Sequence, residues 1–370
     1  MNNGYYPGDR CQRRFVGSAG GEAPMSIKLL VYRAAKAAGL FALCRVLTKS
    51  RIRVLGYHGA CLGDEADYNP YLFLRPATFK LRIDWLQRKG FTVIPLKQAV
   101  DALDGTIDVR RLPTVITFDD GWYSTTAKLI PVLAEKDLPS TLYLSTNDFR
   151  KGGPVLAVTI NYMIWKSARR QIEVEGLGES IDGSYRLDEP VDRDLFVRRS
   201  QQWLTDQPAT RVSVIERIHR LAESMGLAKD DVALESRRFD YVSRDELLEL
   251  AKQGCAVEMH GHEHRYFKGK PEASAADLTA CRETIIELGL PRPNHYCYPS
   301  GNFDDTAETI LNGLDIRSAT TCIPGLISRA NGGARRYALP RFLDGEHISM
   351  LVFEAEMSGF AHLFRRAIGR

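Results

Sequence analysis

Two short clusters in this sequence combine side chains that hold cations and move protons. The first is Thr117-Phe118-Asp119-Asp120-Gly121, two adjacent carboxylates after the apolar run 113–118, PTVITF. Inside a strand neighbouring side chains point to opposite faces, so adjacent aspartates could not share one site. At a strand's end, with a glycine free to turn sharply, both can reach one crevice. The carboxyl ends of parallel strands are also where α/β folds place their sites. Taken alone, Asp-Asp-Gly is equally ordinary turn chemistry. The second cluster, His260-Gly261-His262-Glu263-His264, follows the apolar stretch 255–259 and holds three of the chain's 8 histidines. His260 and His264 are four residues apart, which puts them on one face if the segment is helical. With Asp120 they make a two-histidine, one-carboxylate set that leaves a coordination position for water. One divalent metal ion is therefore expected. Zn2+ suits this set in a hydrolytic site, with Co2+, Mn2+ and Fe2+ left open.

Two more segments could complete such a site. Residues 295–301 (HYCYPSG) read as a strand running into a Pro/Gly turn. A turn of this kind can aim backbone N–H groups at a developing oxyanion, which makes Tyr298, Pro299, Ser300 and Gly301 candidates for substrate binding. Tyr57-His58 closes an apparent first strand and adds His58 to that group, although a lone strand-end histidine is more often structural.

Placing these residues requires short apolar runs that alternate with helical periodicity. Strands are expected at 53–58, 91–94, 113–118, 140–144, 255–259, 295–298 and 317–321. Helices are expected at 76–89, 128–135, 244–252, 275–288 and 305–311. The alternation predicts a parallel α/β architecture, barrel or open sheet. Residues 150–240 break the rhythm with helical segments at 160–168, 194–204 and 209–225 around a polar stretch, 176–190. They read as an insertion, whose Trp165 and Trp203 either stack on sugars or pack helices.

Charge narrows the partners. The chain has 370 residues and a net charge of +4, but residues 1–53 carry ten Lys/Arg against Asp9 and Glu22. The remainder is net negative, so no basic stripe runs through the folded body and nucleic acid is not expected as a partner. Seven scattered cysteines, without a C-x-x-C pair, suggest neither a disulfide framework nor a cysteine metal site. Residues 1–25 read as a disordered, Gly-rich tail lacking the apolar core of a signal peptide, with Met25 an alternative start. Residues 26–50 read as a basic amphipathic helix, too short and charged to span a bilayer. It either lies peripherally on an anionic membrane face or packs on the domain. A cytoplasmic location, with contact at the inner membrane face in the first case, is the corresponding expectation.

In this order, Thr117–Gly121, the His260/His264 pair and Tyr298–Gly301 resemble the polysaccharide deacetylase family of carbohydrate esterases (family 4, the NodB homology domain). Tyr57-His58 and Leu339-Pro340-Arg341 resemble its branch associated with exopolysaccharides. The resemblance spans about 50–345 outside the insertion. It implies a distorted, incomplete (β/α)7 barrel over 51–370, carrying the helical insertion at about 150–240 and preceded by the basic helix. It also implies metal-dependent hydrolysis of acetyl groups from a glycan with acetylated amino sugars, as a polymer or lipid-linked. The same site could serve an O-deacetylase or deformylase, or persist in a non-catalytic glycan-binding protein. By position Asp119 would be the general base, and Asp120, His260 and His264 the metal ligands. The family's base-orienting arginine is missing from Tyr298–Gly301, so Arg341 is expected in that role. Its acid, usually a histidine near the C-terminus, is expected at His347, with His362 the other choice.

Overall fold

In the computed structural model the described residues are 27–109, 111–206, 210–328 and 335–369, so the expected tail 1–25 and a start at Met25 lie outside them. The apolar run Pro113–Phe118 forms strand β5, buried along its whole length, as a central strand of a parallel sheet must be. Its neighbours are β1 (Arg53–Tyr57) on one side and β6 (Ser140–Leu144) on the other, with the short β4 (Thr92–Val93) at its start. The insertion and the strands near the site add β2 (Gly59–Ala60), β3 (Phe73–Leu74), β7 (Gln171–Val174) and β8 (Gly183–Arg186). The sheet continues through β9 (Cys255–Met259), β10 (His295–Cys297), β11 (Ser318–Thr320) and β12 (Phe342–Leu343). Its order is β11-β10-β9-β6-β5-β1-β12, and every pairing in it is parallel. Leu339, just ahead of β12, bridges Thr320 of β11, so the two edges approach and the sheet curls into a distorted (β/α) barrel.

Helices pack outside the sheet with the spacing their sequences predict. Pro76–Arg88 starts with Pro at its first turn, where the missing N–H costs nothing, and buries Phe79, Ile83, Trp85 and Leu86. These side chains join Leu55, Ile116, Phe118, Leu142 and Met259 in the main core. Arg82 from the same face is buried against Asp344, which follows β12.

The expected insertion is present and has its own core, including Ile160, Tyr162, Ile172, Tyr185, Phe196 and Leu221. The polar stretch 176–190 holds half of a hairpin: β7 and β8 pair antiparallel. Ile172 and Val174 alternate inward along β7, as do Tyr185 and Leu187 at β8, but four residues are too few for the pattern to stand out. A buried ionic joint ties the insertion to the barrel, with Arg238 donating to Glu65 at 2.7 Å and to Asp64 at 2.5 Å. Trp203 donates its indole N–H to Leu177 O and serves helix packing, whereas Trp165 makes tilted contacts with Tyr68 and Tyr162 and stays 39% exposed.

The single helix expected over 26–50 is two, Ile27–Ala37 and Leu40–Leu47, because Gly39 adopts a left-handed φ of 75°. Tyr32, Ala35, Phe41 and Cys44 pack on Ala355, Phe360 and Ala361 of the C-terminal helices Met350–Met357 and Phe360–Ala367. Among the described residues no helix is long and apolar enough to cross a membrane. Six cysteines there carry free thiols.

Candidate active site

The two aspartates leave β5 through a broken strand geometry. Asp119 N–H still donates to Tyr57 O at 2.9 Å, continuing the ladder. Asp120 (φ 71°) and Gly121 (φ 91°) then take left-handed conformations in succession. Strand alternation therefore ends at Asp119, and both carboxylates face the mouth of the barrel. Gly121 is required twice over, because a Cβ there would also stand 2.5 Å from Leu144 Cδ1.

Asp119 is fully buried and gripped by Arg341, whose Nη1 and Nη2 donate to Oδ1 and Oδ2 at 2.5 and 2.7 Å. The guanidinium is itself held by Thr117 Oγ1 (3.2 Å) and Thr321 O (3.3 Å). Burial pushes the Asp119 carboxyl up, but Arg341 and then His260 outweigh it and hold the group below the usual carboxylate range. Such a two-pronged contact fixes orientation as well as charge. His58 Nε2 lies 3.6 Å from Asp119 Oδ2. Burial pulls the His58 imidazole down, partly countered by Asp119 and Asp120.

Asp120 faces the histidines. Its Oδ1 is 3.1 Å from His264 Nε2 and 3.3 Å from His260 Nε2. His260 Nδ1 lies 2.8 Å from the Cys297 carbonyl, to which it donates, so its Nε2 presents a lone pair toward Asp120. The helical i, i+4 arrangement is not what joins the pair. The segment after β9 is a loop, turned by left-handed Gly261 (φ 85°) and His264 (φ 48°). That loop is anchored by a residue the sequence did not single out: Asp277 accepts from His262 N and Glu263 N, both at 2.8 Å.

One ligand atom from each of Asp120, His260 and His264 lies within 4.8 Å of the others. Asp120 Oδ1 is buried and meets no hydrogen-bond donor. A buried carboxylate oxygen without a donor, facing two imidazole nitrogens, is costly unless a cation sits between them. The donor set therefore fits a divalent metal. A second grouping, Asp119 with His260 and Cys297, is as compact. Burial raises the Cys297 thiol well above its ordinary range, so it is a neutral thiol and a poor ligand.

The remaining sequence candidates separate. Tyr298 N–H donates to Thr320 O at 3.2 Å, its hydroxyl donates to Tyr337 O, and its ring stacks on Phe303. Neither its N–H nor its side chain is free for an oxyanion. Pro299–Gly301 form a short turn with Ser300 (φ 59°) and Gly301 (φ 67°) left-handed, next to the Cys297 carbonyl that holds His260. His347 Nδ1 is 3.1 Å from Pro70 O, and its ring lies tilted against Tyr71 at 4.0 Å between centroids. His362 pairs with Arg51 at the N-terminal helices.

A curled parallel sheet bearing a two-histidine, one-carboxylate cradle beside an arginine-clamped aspartate defines a hydrolase site on a (β/α) barrel. The sequence pattern of the polysaccharide deacetylase family matches residues 108–176 and 218–319, so the chain carries a polysaccharide deacetylase domain, a hydrolase of carbon–nitrogen bonds. No curated protein matches by sequence. Among solved structures, Streptococcus pyogenes deacetylase PplD in complex with acetate is similar at TM-score 0.55 and 15% identity, covering 84% of this chain and 99% of that one. IcaB from Ammonifex degensii is similar at 0.51 and 15%, covering 84% and 97%. A de-N-acetylase from Aggregatibacter actinomycetemcomitans is similar at 0.51 and 15%, covering 83% and 99%. At these identities the likeness is one of fold.

Proposed function

We propose that this chain is a metal-dependent N-deacetylase of an acetylated glycan, with Asp120, His260 and His264 holding one divalent ion and Asp119 acting as base. Zn2+ matches the ligand set best. The observation that carries the reading is the donor-less Asp120 Oδ1 facing two imidazole nitrogens, one residue from an aspartate ionised by Arg341.

A bound ion supplies Lewis-acid polarisation of the acetyl carbonyl and lowers the pKa of a water, which a base as weak as Asp119 needs. Arg341 keeps Asp119 ionised and points it, so the carboxylate takes a proton from the attacking water. That proton must reach the departing sugar amine as the C–N bond breaks and acetate forms. His58, within 3.6 Å of Asp119, is placed to pass it on, whereas His347 faces Pro70. We therefore assign the acid role to His58. Water-excluding walls come from Tyr143 and Trp122, both buried near these groups.

Acetate release from N-acetylglucosamine oligomers tests the proposal, using metal-stripped protein with and without zinc or cobalt. Release that requires metal and is lost in Asp119→Asn, while that variant still binds metal, is the expected result. Metal-independent release, or full activity in Asp119→Asn, would overturn it.

A further inference from the structure

The helix pair Ile27–Ala37 and Leu40–Leu47 buries one face, and among the described residues its apolar outer side chains are exposed. Along Leu40–Leu47 the inward residues are Phe41 and Cys44. On the outer side Leu40, Leu43 and Leu47, spaced at i, i+3 and i+7, are exposed, Leu43 by 52% and Leu47 by 64%, with Val46 beside them. Along Ile27–Ala37 the inward residues are Tyr32 and Ala35, while Ile27 (81% exposed) and Leu30 face out. Ile368, just past the last helix, is half exposed as well. Scattered apolar residues on a surface mean little, but a stripe of leucines on one helix edge is a candidate interface.

Charge selects the occupant. Residues 27–53 contain Lys28, Arg33, Lys36, Arg45, Lys49, Arg51 and Arg53 and no Asp or Glu. The two acids of the supporting helix, Glu354 and Glu356, are answered by Lys36 (2.6 Å) and Arg365 (2.5 Å). The rest of the chain is net negative, and although Arg53 is buried and Lys36 pairs with Glu354, Lys28, Arg33, Arg45 and Lys49 keep positive charge beside the exposed leucines. A second copy of this surface would set like charges against each other. An anionic bilayer satisfies both features, taking leucines into the interface and cations against lipid phosphates. The helices are too short to do more than lie in the interface. We propose that the pair Ile27–Ala37 and Leu40–Leu47, backed by the C-terminal helices, docks this protein on the face of an anionic membrane.

The orientation follows from the chain path. Leu40–Leu47 leads into the N-terminal end of β1, where Arg53 donates to Met357 O and Thr48. His58 and Asp119 sit at the opposite, carboxyl ends of β1 and β5. One strand length, roughly 16 Å, separates the two ends, so the mouth receives acetylated sugars from the aqueous side of the docked molecule.

Flotation of the full chain with vesicles of phosphatidylcholine alone, or mixed with phosphatidylglycerol, tests the docking. Wild type should bind the mixed vesicles at least about tenfold better, since each cation near the surface adds to the attraction. The variant Leu43→Glu/Leu47→Glu, altered at exposed positions, should keep its circular-dichroism melt and lose at least about tenfold in binding. Equal binding to both vesicles would overturn the proposal. So would a variant that floats like wild type, because basic residues elsewhere would then carry the binding. Light scattering that shows a wild-type dimer and a monomeric variant would replace the membrane with a second copy of the chain.

Discussion

Replacing Arg341 by Met breaks the contact on which the identity of the base rests. The side chain is fully buried, and Asp119 would keep no permanent cation, only His58 and His260 nearby. Removing one partner of a buried pair strands the other charge, at a cost of about 3–5 kcal/mol. A chain of this length unfolds with roughly 0.8 kcal/mol per kelvin of entropy, so the melting temperature should fall by roughly 4–6 °C. Asp119 can instead relieve the strain by taking a proton, which removes the base. The acid limb of kcat/KM for acetate release should therefore move to higher pH by at least about one unit, each unit being about 1.4 kcal/mol of lost preference for the carboxylate. The double variant Asp119→Asn/Arg341→Met sharpens the test: with neither charge left, it should melt above Arg341→Met alone. If Arg341→Met melts within 1 °C of wild type and its acid limb does not move, the clamp does not hold the base and the reasoning fails.

Three other outcomes follow from the geometry. His58→Ala should lower kcat by about 100-fold or more, the range for losing a proton-transfer group, while His347→Ala stays within about threefold; the reverse order would return the acid role to His347. Asp277→Ala leaves His262 N and Glu263 N without their acceptor, so a chelator competition should show metal affinity falling about 10–100-fold with Asp120 untouched. Glu258 is buried and accepts from Asn294 N and His295 N; burial lifts its carboxyl to about 8, with those bonds opposing. A raised acid binds its proton more tightly when folded, so its share of stability is present below about pH 4.5 and lost as pH rises through about 8. The melting difference between wild type and Glu258→Gln should change across that window and level off above it; a constant difference would contradict the assignment.

Much of the barrel was legible because its strands are short apolar runs with no other use. Pro113–Phe118, Ser140–Leu144 and Cys255–Met259 fall where the sequence put them, and so does the helix Arg244–Lys252, whose Ser243 and Glu246 form a capping box. The insertion's hairpin was hidden by strands of four residues. Long-range pairings were less accessible still. Arg341 reaches Asp119 across 222 residues of sequence, and Asp277 reaches the histidine loop from a helix whose other buried residues are mostly apolar or small. His347 follows a strand-like segment near the C-terminus, and its Nδ1 lies against Pro70 O, a contact the sequence does not reveal. His58 had only its strand end to recommend it, and pairing of β1 with β5 is what brings it to Asp119.

Adjacent aspartates of identical chemistry are given different work by what surrounds them. Asp119 receives a guanidinium, which is charged at every working pH, and both of its oxygens are engaged. Its negative charge is thereby spent, leaving it a poor cation ligand but well aimed for the base role proposed for it. Asp120 receives two imidazoles, which are neutral when they act as ligands, and one of its oxygens has no donor. Its charge is unspent, so the cradle suits a cation. Asp120 favours the charged form of His264, against burial, so a proton competes with a cation for this nitrogen. Metal affinity should therefore weaken as pH falls, by up to about tenfold per unit. Asp120→Asn should remove both the uptake and its pH dependence, whereas Asp119→Asn should leave them in place. Isothermal titration with zinc at several pH values separates the two aspartates, and equal losses in both variants would show that the division of labour drawn from their partners is wrong.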